Sequence, residues 1–151
     1  GLFKTVSPSF LHGRTPTDRS RYPRASGGLF STVSDYGKFA RMILRGGELD
    51  GKRYLKPESI KEMTLSRTDG LENVGFVKGN AYGLGWIRVV NPGGVTAPLS
   101  SGSYGHGGAY GTQAWIDPEK GRYTLMMIQR ANIGNGDNSD IRGAFQAAAA
   151  K

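Results

Sequence analysis

Apolar residues recur with two different periods along this chain, and glycine-rich turns separate the stretches. Tyr36, Phe39, Ala40, Ile43 and Leu44 fall on one face of a helix, which predicts a helix over 32–45. Thr32 and Asp35 stand at capping-box spacing, with Asp in place of Glu. Arg41 and Arg45 suit the negative end of that helix, and Gly46-Gly47 supplies its stop. Asp50-Gly51 accepts the positive φ of a tight turn and predicts a hairpin over 48–55. Pro57 suits the first position of a short helix over 57–65, with Ile60 and Met63 inward. Residues 82–90 read as a strand whose internal glycines point to a bulge or a close neighbour. Residues 109–117 and 122–130 read as a hairpin closed by Asp117-Pro118-Glu119-Lys120-Gly121. Its second arm is apolar on both faces, which predicts a central strand covered on both sides. A C-terminal helix over 139–150 is expected to turn Ile141, Phe145, Ala148 and Ala149 inward. Residues 66–80, 91–102 and 132–138 read as loops. The order is helix, hairpin, helix, strands, helix, an antiparallel α+β pattern.

Composition narrows the chemistry. With 151 residues the chain holds one ordinary domain. Its 24 glycines are about twice the usual share, so tight turns or close backbone approaches are numerous. The absence of cysteine excludes a disulfide framework, a thiolate metal site and a Cys nucleophile from this chain. Two histidines, His12 and His106, are few for a histidine metal cage, and no cofactor motif is present, so no cofactor is expected. No apolar run has the ~18 residues of a membrane span. The net charge of +8 raises the question of nucleic acid. However, Arg14, Arg19, Arg21 and Arg24 lie among prolines with Asp18 between them and read as a solvated loop, so no nucleic-acid partner is expected. Asn135, Asp137 and Ser139 lack the acid a calcium loop needs and read as a turn.

One segment stands apart: Ser101-Gly-Ser-Tyr-Gly-His-Gly-Gly-Ala-Tyr-Gly-Thr-Gln-Ala-Trp115. Glycine removes the side-chain wall, so a ligand can lie against the backbone and take its N–H groups, beside an imidazole able to donate or to move a proton. The same residues also fit a glycine-rich corner with no ligand. Ser101-Gly-Ser-Tyr-Gly105 approaches a nucleophile elbow centred on Ser103, but its first position is Ser and no strand-to-helix turn is predicted there. Trp86 and Trp115 read as core or cleft wall, and Tyr104 and Tyr110 flank the His-Gly-Gly edge as candidate cleft-lining residues.

Four segments in order resemble the serine β-lactamase-like hydrolases: class C β-lactamases, penicillin-binding DD-peptidases, D-aminopeptidases and related esterases. Ala25-Ser-Gly-Gly-Leu-Phe-Ser-Thr-Val-Ser-Asp35 is similar to the family's segment ahead of a long helix. Gly47-Glu-Leu-Asp-Gly51 with Leu55-Lys-Pro-Glu-Ser59 is similar to its hairpin and following helix. Tyr82-Gly-Leu-Gly-Trp86 resembles the strand before the active-site edge, and Gly105-His-Gly-Gly-Ala-Tyr-Gly111 its third catalytic motif, Lys-Thr-Gly or His-x-Gly. The resemblance implies the C-terminal part of a β-lactamase/transpeptidase-like fold and, by habit of the family, a periplasmic or secreted setting. It places His106 as the motif's Lys or His and Gly107 and Gly108 as the positions after it, against which substrate lies. The Ala109 N–H then completes an oxyanion hole, and Tyr104 and Tyr110 flank the substrate.

The chain departs from that pattern where the nucleophile belongs. No serine has Lys three residues later, and no Tyr-x-Asn or Ser-x-Asn is present. In the family both motifs precede the segment matching Ala25. The expectation is therefore a C-terminal portion, with 1–28 as an irregular connection and 29–151 carrying the helices and strands. Its partner would be an N-terminal portion of the same hydrolase, bearing the serine, and its substrate a small amide or ester. Alone, the chain is expected to be unstable or to aggregate, because the doubly apolar strand would lack cover. The alternative is a non-catalytic relative that binds peptide or cell-wall fragments in the same cleft.

Overall fold

The computed structural model describes residues 11–22, 24, 28–71, 78–130 and 139–151. The chain divides into two units, Gly1–Thr32 and Val33–Lys151. In the first, the described residues form successive turns without regular elements. Arg14 N–H donates to Leu11 O at 2.9 Å and Arg21 N–H to Asp18 O at 3.2 Å. The Asp18 carboxylate takes the Ser20 N–H at 2.8 Å, and the Arg21 guanidinium lies 5.3 Å from the Phe30 ring centre. This is the irregular character that prolines and short polar residues impose.

The second unit is α+β. Helix α1 spans Val33–Leu44, strands β1 and β2 span Glu48–Leu49 and Lys52–Arg53, and helix α2 spans Pro57–Thr64. A five-stranded sheet follows in the order β3 (Asn80–Tyr82), β4 (Ile87–Val89), β5 (Tyr104–Gly107), β6 (Gln113–Asp117) and β7 (Arg122–Met126), with every neighbour antiparallel. A single 3₁₀ turn, Gly94–Thr96, precedes β5, and helix α3, Asp140–Ala149, closes the unit. Among the described residues, no helix is long and apolar enough to cross a membrane.

The local signals act as expected at the start of the unit. Asp50 and Gly51 both take positive φ, 50° and 79°, and so fold β1 back on β2 with Leu49 opposite Lys52. Pro57 opens α2. The buried stripe of α1 is Gly37, Ala40 and Ile43, whereas Phe39, expected on that face, is exposed. A Cβ at Gly37 would stand 3.5 Å from the Tyr123 hydroxyl and 3.7 Å from a Leu125 methyl, so that part of the helix faces the sheet's β7 side chains.

Directly opposite residues of antiparallel strands project to the same side. One face therefore carries Tyr104 with Ile116 and His106 with Ala114, continuing to Tyr123 and Leu125. This face packs under α1 and α2, where Ala40, Ile43, Ile60, Trp86, Tyr104 and Ile116 form one buried cluster. The other face carries Ile87 and Trp115, which with Val89 and Leu99 form a second cluster. Thr124 shares that face as Trp115's partner, and α3 is anchored to it.

Three expectations are corrected. The stretch 82–90 is two strands, β3 and β4, because the chain turns at 83–86: Gly83 N–H donates to Trp86 O at 2.8 Å. Second, the arm beginning at Arg122 is an edge strand among the described residues, with Tyr123 exposed. The strand buried along its whole length is β6. Thr124 and Met126 lie on the buried face of β7, whereas Tyr123 is exposed and Leu125 half-buried on the other, so an apolar run alone does not establish cover on both sides. Third, α3 buries Arg142 and Gln146 and leaves Ile141, Ala148 and Ala149 exposed. Its inward face is polar because the surface below offers Thr124 and backbone carbonyls rather than methyl groups.

Candidate active site

The sheet's exposed imidazole stands at the end of β5. The β4 ladder stops at Ile87 opposite Gly105, so His106 and Gly107 have no strand partner on that side among the described residues. The turn at 83–86 is what ends the ladder. On their other side both residues pair with β6, His106 with Ala114 and Gly107 with Gln113, which supports this half of β5. An open, supported edge of this kind can accept an extended ligand backbone.

Gly105 permits the strand to lie where it does. A Cβ there would stand 2.1 Å from Ala114 O and 2.7 Å from the Trp115 ring. Gly108 is confined less strictly, since a Cβ would meet Thr112 Oγ1 at 2.2 Å, a side-chain atom that can rotate away. These two glycines let the indole of Trp115 and the following turn close up behind the edge.

His106 is exposed, with the Tyr82 ring edge-on at 6.2 Å between ring centres. Its Nδ1 lies 2.5 Å from Gly107 O. A carbonyl can only accept, so Nδ1 is the donor in this contact. The β5–β6 turn is tied by Gly108 N–H to Thr112 O at 2.7 Å and by Gly111 N–H to Gly108 O at 3.0 Å. Ala109 is exposed at its tip, and among the described residues no backbone acceptor takes its N–H.

The Arg142 guanidinium, on the first turn of α3, donates to Gly108 O, to Thr112 O at 3.1 Å and to Gly111 O at 3.5 Å. Ser139 caps α3 by accepting from Arg142 N–H.

Of the expected site residues, His106, Gly107, Gly108, Ala109 and Tyr110 form one continuous strip, the end of β5 and its turn. Tyr104 is a correction. It is 5% exposed, its ring meets Trp86 edge-on at 5.4 Å, and desolvation there raises its phenol pKa against an opposing pull from Arg88. It is a core residue. Ser103, the elbow candidate, is fully buried before β5 and out of reach of a substrate. Residues 25–27 of the first resembling segment, and Asn135 and Asp137 of the rejected calcium loop, lie outside the described residues. Sequence reasoning missed Tyr82 and Arg142. The available signal for Arg142 was its spacing from Gln146, one helical turn of polar residues with long side chains.

The family model for Beta-lactamase matches residues 5–149. The chain belongs to the β-lactamase family. It is 37% identical over 114 residues to Protein Rv1367c of Mycobacterium tuberculosis, covering 70% of this chain and 28% of that protein. It is 29% identical over 111 residues to the same organism's Esterase/beta-lactamase LipL, covering 74% of this chain and 24% of that one. Among solved structures it superposes on EstCE1, a hydrolase with promiscuous acyltransferase activity, with a TM-score of 0.65 and 21% identity, over 88% of this chain and 32% of that one. The chain thus spans about a quarter of the length of the curated relatives it matches. The fold is that of β-lactamases and transpeptidases.

Proposed function

We propose that this chain forms one wall of the active site of a serine hydrolase acting on an amide or ester, with the nucleophilic serine supplied by an N-terminal portion of the same protein. The observation that carries the reading is the open His106–Gly107 edge next to an Ala109 N–H that no backbone acceptor takes among the described residues. Substrate would lie along that edge. Attack of the serine oxygen on the scissile carbonyl carbon moves the carbonyl π electrons onto oxygen. The Ala109 N–H donates to that oxyanion. Collapse of the tetrahedral intermediate expels the amine or alcohol, which takes up a proton, and water then cleaves the acyl-serine. His106, exposed at that edge, orients the substrate or carries a proton there.

The test is covalent labelling of the full-length protein with a fluorophosphonate and with a penicillin probe. Modification of one serine outside this chain is expected. Absence of label from every serine overturns the enzyme reading and favours a non-catalytic binding protein.

A further inference from the structure

Arg142 is 3% exposed, yet it carries a permanent charge, and described carbonyl oxygens of residues 108, 111 and 112 accept from it. These three belong to the turn that follows the active-site strand. Gly108 O and the Ala109 N–H are the two ends of one peptide group. That peptide is trans, so its N–H points opposite to its C=O. Whatever holds Gly108 O therefore also sets the direction of the Ala109 N–H.

We propose that Arg142 is a positioning residue: its guanidinium, clamped on Gly108 O, aims and polarises the Ala109 N–H that faces the reacting carbonyl. The inference rests on the oxyanion role given to Ala109 above. A charge-assisted bond to a carbonyl draws electron density through the partial double bond of the peptide and makes its N–H a stronger donor. The planar fork of arginine spans neighbouring carbonyls at once, which a lysine ammonium does not. The clamp itself is anchored. Gln113 Nε2 donates to Arg142 O at 3.3 Å, and Gln146, one turn further on, is bonded to Thr124 of β7. Neither Arg142 nor its helix is placed to touch substrate in this account, so the effect passes through one peptide group.

The test compares Arg142→Met and Arg142→Lys in the full-length protein. Labelling with carbonyl-¹³C glycine and ¹⁵N alanine marks the Gly108–Ala109 peptide, one of two Gly-Ala pairs in this chain. The Ala109 amide resonance is expected to move in the Met variant and to move less in the Lys variant. An unmoved resonance in a folded variant overturns the clamp, and the Lys variant supplies that reading if the Met variant does not fold. In the same Met variant, kcat is expected to fall about 10- to 100-fold with KM nearly unchanged. Affinity for a small alkylboronic acid, whose serine adduct mimics the oxyanion, is expected to fall in parallel. If the resonance moves while kcat and boronate affinity hold, the clamp stands and the oxyanion role of Ala109 fails.

Discussion

Gln146 and Thr124 exchange hydrogen bonds in the interior: the Gln146 amide nitrogen donates to the Thr124 hydroxyl at 2.9 Å, and that hydroxyl donates to Gln146 Oε1 at 3.2 Å. One hydroxyl cannot give its single proton and also be idle, so the pair is self-satisfying and pins α3 to β7 in one register. Both residues are almost wholly buried. Removing one partner strands the other. Gln146→Ala is expected to destabilise the protein by about 1–3 kcal/mol in urea unfolding, and the paired change Thr124→Val with Gln146→Leu by clearly less. Equal losses in the two variants would show that the bonds are not what holds the helix.

Trp115 is the largest fully buried side chain and packs against the glycine edge at Gly105. Trp115→Ala is expected to cost about 3–5 kcal/mol. Gly105→Ala is expected to cost about 1–3 kcal/mol by overpacking, because the new methyl would press on Ala114 O and the indole. Thermal unfolding measures both. A Gly105→Ala protein as stable as the parent would mean that β5 lies further from β6 than described.

Asp117 titrates below its ordinary value of 3.8. Burial pushes its carboxyl up, but the N–H groups of Ser100 and Lys120, the Ser100 hydroxyl and the Lys120 charge together outweigh burial. A carboxylate with a lowered folded pKa contributes stability that is present above 3.8 and is lost as pH falls through the lower folded value. Acid unfolding of the parent is therefore expected to steepen below pH 3.8, and Asp117→Asn is expected to flatten that limb. An unchanged acid limb in the variant would remove Asp117 as its source.

His106 is exposed and contributes little to packing. His106→Ala is expected to leave unfolding within about 0.5 kcal/mol of the parent and, on the proposed hydrolase reading, to lower turnover by ~10²-fold. Unchanged turnover would withdraw the imidazole from the reaction.

The outer side of β7 has no partner strand among the described residues, and a groove of about 460 Å³ lined by Val33, Gly37, Tyr123 and Leu125 runs beside it. Free edges of this kind associate with other chains. Expressed on their own, residues 1–151 are expected to aggregate, as light scattering would detect. A monodisperse, cooperatively unfolding fragment would contradict this.

How far the chain's own order of residues reaches is seen by comparing α1 with α3. In α1, Ala40 and Ile43 turn inward as their period requires, because an apolar face of the sheet lies beneath them. In α3 the equally regular stripe of Ile141 and Ala148 stays outside, since distant residues, Thr124 and the 108–112 carbonyls, make the opposing surface polar. The strip from His106 to Tyr110 was legible because glycines and a histidine in that spacing are unusual. The core position of Tyr104 was not, because it depends on Trp86 across the sheet.

The primary structure alone therefore determined the α+β class, the Asp50-Gly51 turn, the start of α2 and the His-Gly-Gly strip, all of which depend on interactions between near neighbours in the chain. Only the tertiary structure decided where β4 releases β5, which strand lies at the edge, and that Arg142 grips the turn beside Ala109. Those outcomes come from hydrogen bonds between residues far apart in sequence, and a local pattern carries no record of which distant group will supply the partner.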